Sequence, residues 1–256
     1  MYETVDGQIS FYPINTNESN LVVQSNNLIT ARQNLTLNEA KLIRIIIMQI
    51  VAQDVEFKPY EVSIPEFSRL IGNEDGSNMY KRAKEFTDKL QTKRVSFHSV
   101  DGSWQSIVWT PTCSYNAKTK KIQIKLNDDL KPYLLSLVEL GYYTQYPLAT
   151  ALAFSSVHAL RMYELLTSKM PYKIVPKNGI NIYLSVQEIR DACMLYKTDK
   201  KGNITQEPKF EKISQLKERV LNISCREIEE LTAYTLSYTD KKEGKSIVGF
   251  NFFLSR

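Results

Sequence analysis

The sequence predicts an α+β protein that contains two tandem copies of one small domain, and three observations support this prediction. First, Val62–Phe67 matches Leu184–Ile189 in hydrophobicity and in a serine that can cap a helix, at a distance close to half of the 256-residue chain. Second, each segment is followed by a helical pattern with one apolar face and basic residues on the others. Third, each such helix precedes two alternating stretches that are typical of a β-hairpin.

Composition and segment lengths exclude several classes of protein. The chain is 43% hydrophobic and 24% charged, as ordinary globular proteins are, so it is neither disordered nor fibrous. Its longest apolar stretch, Leu42–Val51, is far shorter than the ~20 residues of a membrane-spanning helix. Residues 1–30 contain no basic segment followed by an apolar run, so we expect no signal peptide, no membrane segment and a cytoplasmic location.

The distribution of charge is more informative than the net charge of +5. The positive excess lies in two blocks, residues 61–126 and residues 197–256, one late in each half of the chain. Two separate basic blocks favour an acidic partner that binds both halves, although lysine-rich segments can also serve solubility alone.

The first copy follows residues 1–20, which lack periodicity and are interpreted as a flexible N-terminal arm. A Thr or Ser followed three residues later by Glu forms a capping box at Thr36 and at Ser63, and Ser77 can cap a further helix. The predicted elements are a helix from Leu35 to Gln53, a strand around Glu61 and Val62, helices at Ser63–Leu70 and Ser77–Lys93, strands at Val95–Val100, Trp104–Tyr115 and Lys120–Leu126, and a short helix at Asp128–Glu139.

The second copy repeats this plan, with a capping box at Ser185 and Glu188. Its predicted elements are a helix at Ala149–Met170, a strand at Ile180–Leu184, a helix from Ser185 to Leu195, a polar loop at Lys197–Pro208, a long helix from Lys209 to Glu230, and strands at Leu231–Thr239 and Ile247–Leu254. The order helix, strand, helix, helix, hairpin is that of a winged-helix domain, a helix-turn-helix variant. We therefore predict an N-terminal winged-helix domain at 21–140 and a C-terminal one at 141–256.

The residues that would indicate catalysis or metal binding are not arranged for either. His98 and His158 are far apart, and neither an H-E-x-x-H nor a C-x-x-C motif occurs. Gly244–Ser246 resembles the end of a phosphate loop, but it joins two predicted strands and is better interpreted as a basic wing tip. Asp128 and Asp129 suit a helix N-terminus. We predict no enzyme, no catalytic residue, no metal and no cofactor.

Double-stranded DNA is the acidic partner that these patterns favour. A helix with one apolar face and basic or polar residues elsewhere fits the major groove, and the lysines of a wing suit phosphates. Two such domains on one chain would cover roughly twenty base pairs. For each single lysine, a solvated surface role stays an alternative. The predicted DNA-binding residues are Ser77, Asn78, Tyr80, Lys81, Arg82, Lys84, Lys89 and Lys93 in the first domain and Lys209, Lys212, Gln215, Lys217, Arg219, Lys241, Lys242 and Lys245 in the second.

Two runs of sequence resemble the iteron-binding plasmid replication initiators, a family of tandem winged-helix proteins. They are residues 22–42, VVQSNNLITARQNLTLNEAKL, and residues 210–221, FEKISQLKERVL, and the resemblance covers about residues 20–254. It implies a bacterial protein that binds direct repeats at a plasmid origin as a monomer, opens the adjacent duplex, and recruits the host replication initiator and replicative helicase. It also implies a homodimer, formed through the N-terminal domain, that represses the protein's own gene, while the C-terminal domain dominates binding to repeats.

Other interpretations stay open at this point. A transcriptional regulator with two winged helices would bind promoter palindromes, and a protein-interaction scaffold would use the same fold without DNA. The strands after Arg94 suit a wing or a dimer interface, with core packing favoured for Trp104, Ile107 and Trp109. The second wing ends the chain, so we expect any host-contacting C-terminal extension to be missing.

Overall fold

The computed structural model of the chain divides into two compact units. Unit 1 comprises residues 1–28 and 33–153, and unit 2 comprises residues 29–32 and 154–256. The structure describes residues 3–5, 8–10, 20–70, 79–99, 101–137, 141–170, 175–176, 178–199 and 204–256. Among these residues, no helix has both the length and the apolar character needed to cross a bilayer.

The elements from the N-terminus to Ala153 are ten strands and seven short helices within the described residues. The strands are β1 (Glu3–Val5), β2 (Gln8–Ser10), β3 (Leu21–Ser25), β4 (Arg32–Gln33), β5 (Tyr60–Ser63), β6 (Arg94–His98), β7 (Trp104–Val108), β8 (Thr112–Asn116), β9 (Lys121–Lys125) and β10 (Tyr143–Pro147). The helices are α1 (Asn26–Thr30), α2 (Leu37–Met48), α3 (Ile64–Leu70), α4 (Met79–Leu90), a 3-10 turn (Asp128–Leu130), α5 (Lys131–Leu134) and α6 (Leu148–Ala153). Within the expected arm 1–20, β1 and β2 pair, and residues 1–2, 6–7 and 11–19 lie outside the described residues.

The first winged helix consists of α2, β5, α3, α4 and the hairpin β8–β9, with the sheet order β5–β9–β8. The capping box at the start of α2 is present, because the Thr36 backbone N–H donates to Glu39 Oε2 at 2.7 Å. The helix ends at Met48, before the predicted Gln53. The Val51 backbone N–H instead donates to Asp54 Oδ2 at 3.0 Å, a local bond that favours a turn.

The predicted strand Trp104–Tyr115 is wrong as a single strand, since β7 and β8 are separate. The chain leaves β7 at Trp109, and Pro111 has no N–H for a ladder. The Thr110 hydroxyl lies between Thr112 O and Lys125 O, at 2.9 and 2.6 Å, and so marks the start of the second hairpin. Two hairpins result, β6–β7 and β8–β9, and only the second pairs with β5 as a wing.

Core packing is confirmed for two of the three residues assigned to it in this region. Trp109 and Ile107 are buried, whereas Trp104 is 69% exposed. Between the predicted strands Val95–Val100 and Trp104–Tyr115, the chain turns at Asp101–Gly102, and Gly102 adopts the left-handed conformation with φ +88°.

The helix predicted at Ala149–Met170 is broken into α6 and α7 (Val157–Ser168). Ser156 caps α7 by accepting the Ala159 N–H, and the backbone N–H groups of Ser155 and Ser156 donate to the Glu227 carboxylate at 2.9 and 3.2 Å. These bonds replace helical ones, so the helix stops. The units divide between Ala153 and Phe154, later than the domain boundary expected at 140/141, because β10 pairs with β3.

Unit 2 repeats the topology of the first winged helix. Its further elements are β11 (Ile180–Ser185), α8 (Val186–Ala192), β12 (Tyr196–Thr198), β13 (Ile204–Pro208), α9 (Ile213–Leu216), a π-helical turn (Lys217–Leu221), α10 (Asn222–Leu231), β14 (Thr235–Glu243) and β15 (Ser246–Ser255). The sheet order β11–β15–β14 corresponds to β5–β9–β8. The capping boxes at Ser63 and Ser185 are both formed, and Val62 and Leu184 are both buried. The internal repeat is therefore confirmed.

Two predictions on either side of Pro208 are wrong. The segment Lys197–Pro208, expected to be a polar loop, contains the hairpin β12–β13. The long helix begins at Ile213 instead of Lys209, because the Lys209 backbone N–H donates to Leu195 O at 2.9 Å and is not available to a helix.

Candidate nucleic-acid interface

The first candidate surface is the solvent side of α4. Ala83 and Leu90 are buried, as the apolar face of the sequence predicts, and Tyr80 is 57% exposed. Ser77 and Asn78, predicted to lie in the first turn, fall outside the described residues. The exposed predicted residues on this helix are Tyr80, Lys81, Arg82, Lys84 and Lys89.

Salt bridges divide the basic residues of this surface into two groups. The Lys84 Nζ lies 2.7 Å from Asp88 Oδ2 within the helix. Lys93 lies beyond the end of α4, and its Nζ is 3.3 Å from Glu39, the buried carboxylate of the α2 capping box. By contrast, Lys81, Arg82 and Lys89 form no salt bridge with any described residue. The cations that remain available to a polyanion are therefore near the start and the end of α4.

The wing of the first domain contributes residues that the sequence prediction missed. The ring of Tyr115 on β8 packs edge-on against Tyr80, with centroids 5.0 Å apart. At the tip of the β8–β9 hairpin, Lys118 and Lys120 are exposed, and Asn116 Oδ1 accepts the Lys118 N–H at 3.0 Å. The signal for these lysines was the short gap between the predicted strands Trp104–Tyr115 and Lys120–Leu126, which corresponds in position to the lysine-rich tip of the second hairpin.

Lys121, the first residue of β9 after the turn, has a different role from Lys118 and Lys120. Its Nζ lies 2.6 Å from Glu61 Oε2 across the β5–β9 pair. Hydrogen bonds from Lys121 and from Gln123 hold the pKa of Glu61 below its ordinary value. This ion pair joins the wing to the strand before α3.

The second candidate surface surrounds α9, the π-helical turn and α10. Lys209 precedes the helix, Lys212 is its N-cap residue, and Gln215 and Arg219 are exposed. Lys217 is half-buried, because its Nζ lies 2.7 Å from Asp240 Oδ1 of β14 and 5.8 Å from the centroid of the Phe250 ring. Lys217 therefore links the helix to the wing, whereas Lys212, Gln215 and Arg219 face solvent.

Asn222 and Arg226 extend this surface and were absent from the prediction. Both are exposed, and they continue the spacing of three or four residues that begins with Gln215 and Arg219. That spacing was the available signal. Asn222 Oδ1 accepts a hydrogen bond of 2.7 Å from the hydroxyl of Tyr238 on β14. The helix and the second wing are thus joined at Lys217 and again at Asn222.

The second wing ends in a lysine-rich tip. Lys241, Lys242 and Lys245 are exposed, the register shifts between Lys241 and Lys242, and Gly244 has φ +59°. The segment Gly244–Ser246 joins two antiparallel strands, which confirms the wing-tip interpretation. A phosphate loop would join a strand to a helix.

Burial favours the neutral forms of the Cys193 and Cys225 thiols and of the His158 imidazole. Burial raises the pKa of Cys193 and that of Cys225 to about 12, and burial lowers the pKa of His158. No group of three or more His, Cys, Asp or Glu side chains within the described ranges is arranged to hold a metal ion.

Comparison with known proteins identifies the two domains. Residues 21–167 match the family described as "Initiator Replication protein, WH1", and residues 195–253 match "Initiator Rep protein, WH2". The PI protein of Escherichia coli is 27% identical over 184 residues, which are 69% of this chain and 55% of that protein. The chain thus spans about half the length of this curated relative.

A solved structure has the same fold. The crystal structure of Pi initiator protein in complex with iteron DNA superposes with a TM-score of 0.73, at 20% identity, covering 94% of this chain and 99% of that chain. This likeness confirms the tandem winged-helix architecture. Because the WH1 model alone matches more than half of the chain and the WH2 model matches a further segment of it, the chain belongs to the replication initiator (Rep) family of proteins with tandem WH1 and WH2 domains.

Proposed function

We propose that this protein initiates plasmid replication by binding direct repeats, or iterons, at the origin through both winged-helix domains. The observation that carries the proposal is the repetition of one surface. In each domain, an exposed basic helix lies beside a lysine-tipped hairpin that is joined to it by side-chain contacts. Membership of the initiator family and the iteron DNA bound to the related Pi protein support the same ligand.

In this proposal, the helices and the wings contact different parts of DNA. The exposed side chains of α4 and of the α9–α10 stretch would enter successive major grooves, as recognition helices do. The lysines of the two wing tips would neutralise phosphates beside each groove. The contacts proposed for the second domain involve Lys212, Gln215, Arg219, Lys241, Lys242 and Lys245, with Lys209 close to the start of the helix and Lys217 supporting the wing.

Membership of the family supports further parts of the proposal. We infer that the protein acts without catalysis of its own in the bacterial cytoplasm. It promotes origin opening, and the host replication initiator and replicative helicase are its protein partners. A homodimer joined through the N-terminal domain would repress the protein's own gene and so contribute to plasmid copy-number control.

A footprint of the purified protein on the DNA that flanks its own gene tests the proposal. We expect protection of several directly repeated sites, each about two helical turns long, with competition by excess random DNA and weaker binding at higher salt. A single protected palindrome would indicate a transcriptional regulator instead. No protection at either of two salt concentrations would favour a protein-interaction scaffold.

A further inference from the structure

The segment Ile29–Arg32 belongs to unit 2, although more than a hundred residues separate it from the rest of that unit. It lies within the run of residues 22–42 and adds no side chain to the basic helices or wings. Arg161 of α7 holds its backbone: the guanidinium donates to Ala31 O at 3.2 Å and to Ile29 O, and its Nε donates to Ala192 O at 2.8 Å. Arg161 and its ion-pair partner Glu164 are almost completely buried, so this attachment is part of the core of unit 2.

Arg32 extends from this attached segment to the hairpin β12–β13. Its Nε lies 2.7 Å from Asp191 Oδ1, and its Nη1 donates to Gln206 Oε1 at 3.2 Å. Its guanidinium also lies over the ring of Tyr196, 4.3 Å from the centroid, and only 12% of the Arg32 side chain is exposed. Burial and the Asp191 carboxylate raise the pKa of Tyr196 to about 12, so its hydroxyl stays protonated and donates to Asp191.

The hairpin, in turn, contacts the residues that lead into the second recognition helix. The Nζ of Lys197 on β12 lies 3.2 Å from Glu207 Oε2 on β13 and 2.9 Å from Glu211 Oε1. The Lys209 backbone N–H donates to Leu195 O at 2.9 Å, directly before β12. Arg190 adds hydrogen bonds to the carbonyl oxygens of residues 210 and 211, at 3.1 and 3.3 Å. The next residue is Lys212, the N-cap of α9.

We propose that Arg32 is a positioning residue for DNA binding by the second domain: by clamping the hairpin β12–β13, it fixes residues 209–212 and thus the start of the recognition helix. This inference rests on the proposed function. Arg32 acts through the hairpin, because its guanidinium is engaged by Asp191, Gln206 and Tyr196. A side chain that is held in place before binding loses less conformational entropy when DNA binds, so the clamp increases affinity without a contact of its own.

The variant Arg32→Ala tests this inference in two measurements on the full chain. Without DNA, we expect backbone amide exchange of residues 196–199 and 204–212 to become at least about tenfold faster. With a duplex that carries the protein's footprinted repeats, we expect the dissociation constant to rise about tenfold. The slope of log affinity against log salt should not change, because that slope counts phosphate contacts. The matched control is Lys169→Ala, which removes the surface pair with Glu188 in the same unit and should leave both measurements at wild-type values.

Three results would overturn the inference. Unchanged amide exchange would mean that Arg32 does not fix the hairpin, and faster exchange with unchanged affinity would leave it a purely structural role. A salt slope that becomes shallower by about 0.9 would mean that Arg32 itself contacts a phosphate. If the wild-type protein protects no repeats, the proposed function fails, and the exchange measurement alone still decides whether Arg32 orders the hairpin.

A second variant covers loss of folding by Arg32→Ala. Arg32→Lys keeps the positive charge but lacks the planar group that binds Asp191 and stacks on Tyr196. We expect a smaller change in the same direction in both measurements. Wild-type exchange and affinity in this variant would show that the charge alone suffices and would contradict the clamp.

Discussion

The two winged-helix domains share a scaffold and differ where helix and wing meet. Both have a Ser–Glu capping box, a buried aliphatic residue before it, and the same three-stranded order. In the first domain an aromatic pair, Tyr80 and Tyr115, joins helix to wing. In the second domain the ion pair of Lys217 with Asp240 does so. The buried residues that set the topology are therefore alike in the two domains, whereas the surfaces that would meet DNA differ.

The largest expected effect concerns the shared scaffold. Phe67 and Ile189 are equivalent and buried, so Phe67→Ala should lower the free energy of unfolding by about 3–5 kcal/mol and Ile189→Ala by about 2–5 kcal/mol. Urea unfolding followed by circular dichroism measures both changes. A loss below about 1 kcal/mol at either position would show that the two copies do not use the repeat for packing in the same way.

The next effect compares the two candidate DNA-binding surfaces. If the second domain dominates, Lys212→Ala combined with Arg219→Ala should weaken repeat binding about 100-fold, roughly 1.4 kcal/mol for each side chain. Lys81→Ala combined with Arg82→Ala should cost less. Titration of one labelled repeat at fixed salt measures both double variants. Equal losses would contradict the ranking of the domains.

A smaller effect separates the two kinds of lysine in the second domain. Lys217→Ala should lower stability by up to about 1 kcal/mol, because Lys217 pairs with Asp240, and should leave the salt slope unchanged. Lys241→Ala should leave stability unchanged and make the slope shallower by about 0.9. Thermal unfolding and a salt titration, applied to both variants, distinguish these roles. If Lys217→Ala instead made the salt slope shallower and Lys241→Ala lowered stability, Lys217 would leave Asp240 to bind phosphate.

The smallest effect is the pH dependence of the second capping box. Burial by itself raises the pKa of Glu188, but hydrogen bonds from Lys169 and Ser185 outweigh it and hold the pKa below the ordinary value of 4.5. A lowered pKa in the folded state stabilises the protein above pH 4.5, and this contribution disappears as pH falls through the folded pKa. Glu188→Gln should therefore reduce the urea midpoint at pH 7 and converge with wild type at acidic pH. A constant difference at all pH values would contradict this origin.

Local features of the fold were predictable from the sequence. The capping boxes at Thr36, Ser63 and Ser185 depend on residues three positions apart, and the turns at Gly102 and Gly244 depend on glycine in a left-handed conformation. The buried side of each helix follows from its apolar spacing. These signals were enough to predict two winged helices and the basic faces of the helices that precede the two wings.

Features that depend on distant partners were not predictable. The break between β7 and β8 involves a hydrogen bond from the Thr110 hydroxyl to Lys125 O, and the later start of α9 involves one from the Lys209 N–H to Leu195 O. The roles of individual lysines in the two candidate surfaces were likewise not predictable. Nothing in the local sequence separates Lys93 and Lys217, which are held by Glu39 and Asp240, from lysines that face solvent.

The sequence by itself determined the number, the type and the order of the two domains, because caps, turns and apolar spacing act over a few residues. Only the tertiary structure decided which cations remain available to DNA and which support the fold. It also decided the place of Arg32, whose partner Asp191 is 159 residues away. A salt bridge depends on where two side chains meet in space, and a pattern along the chain carries no information about that distance.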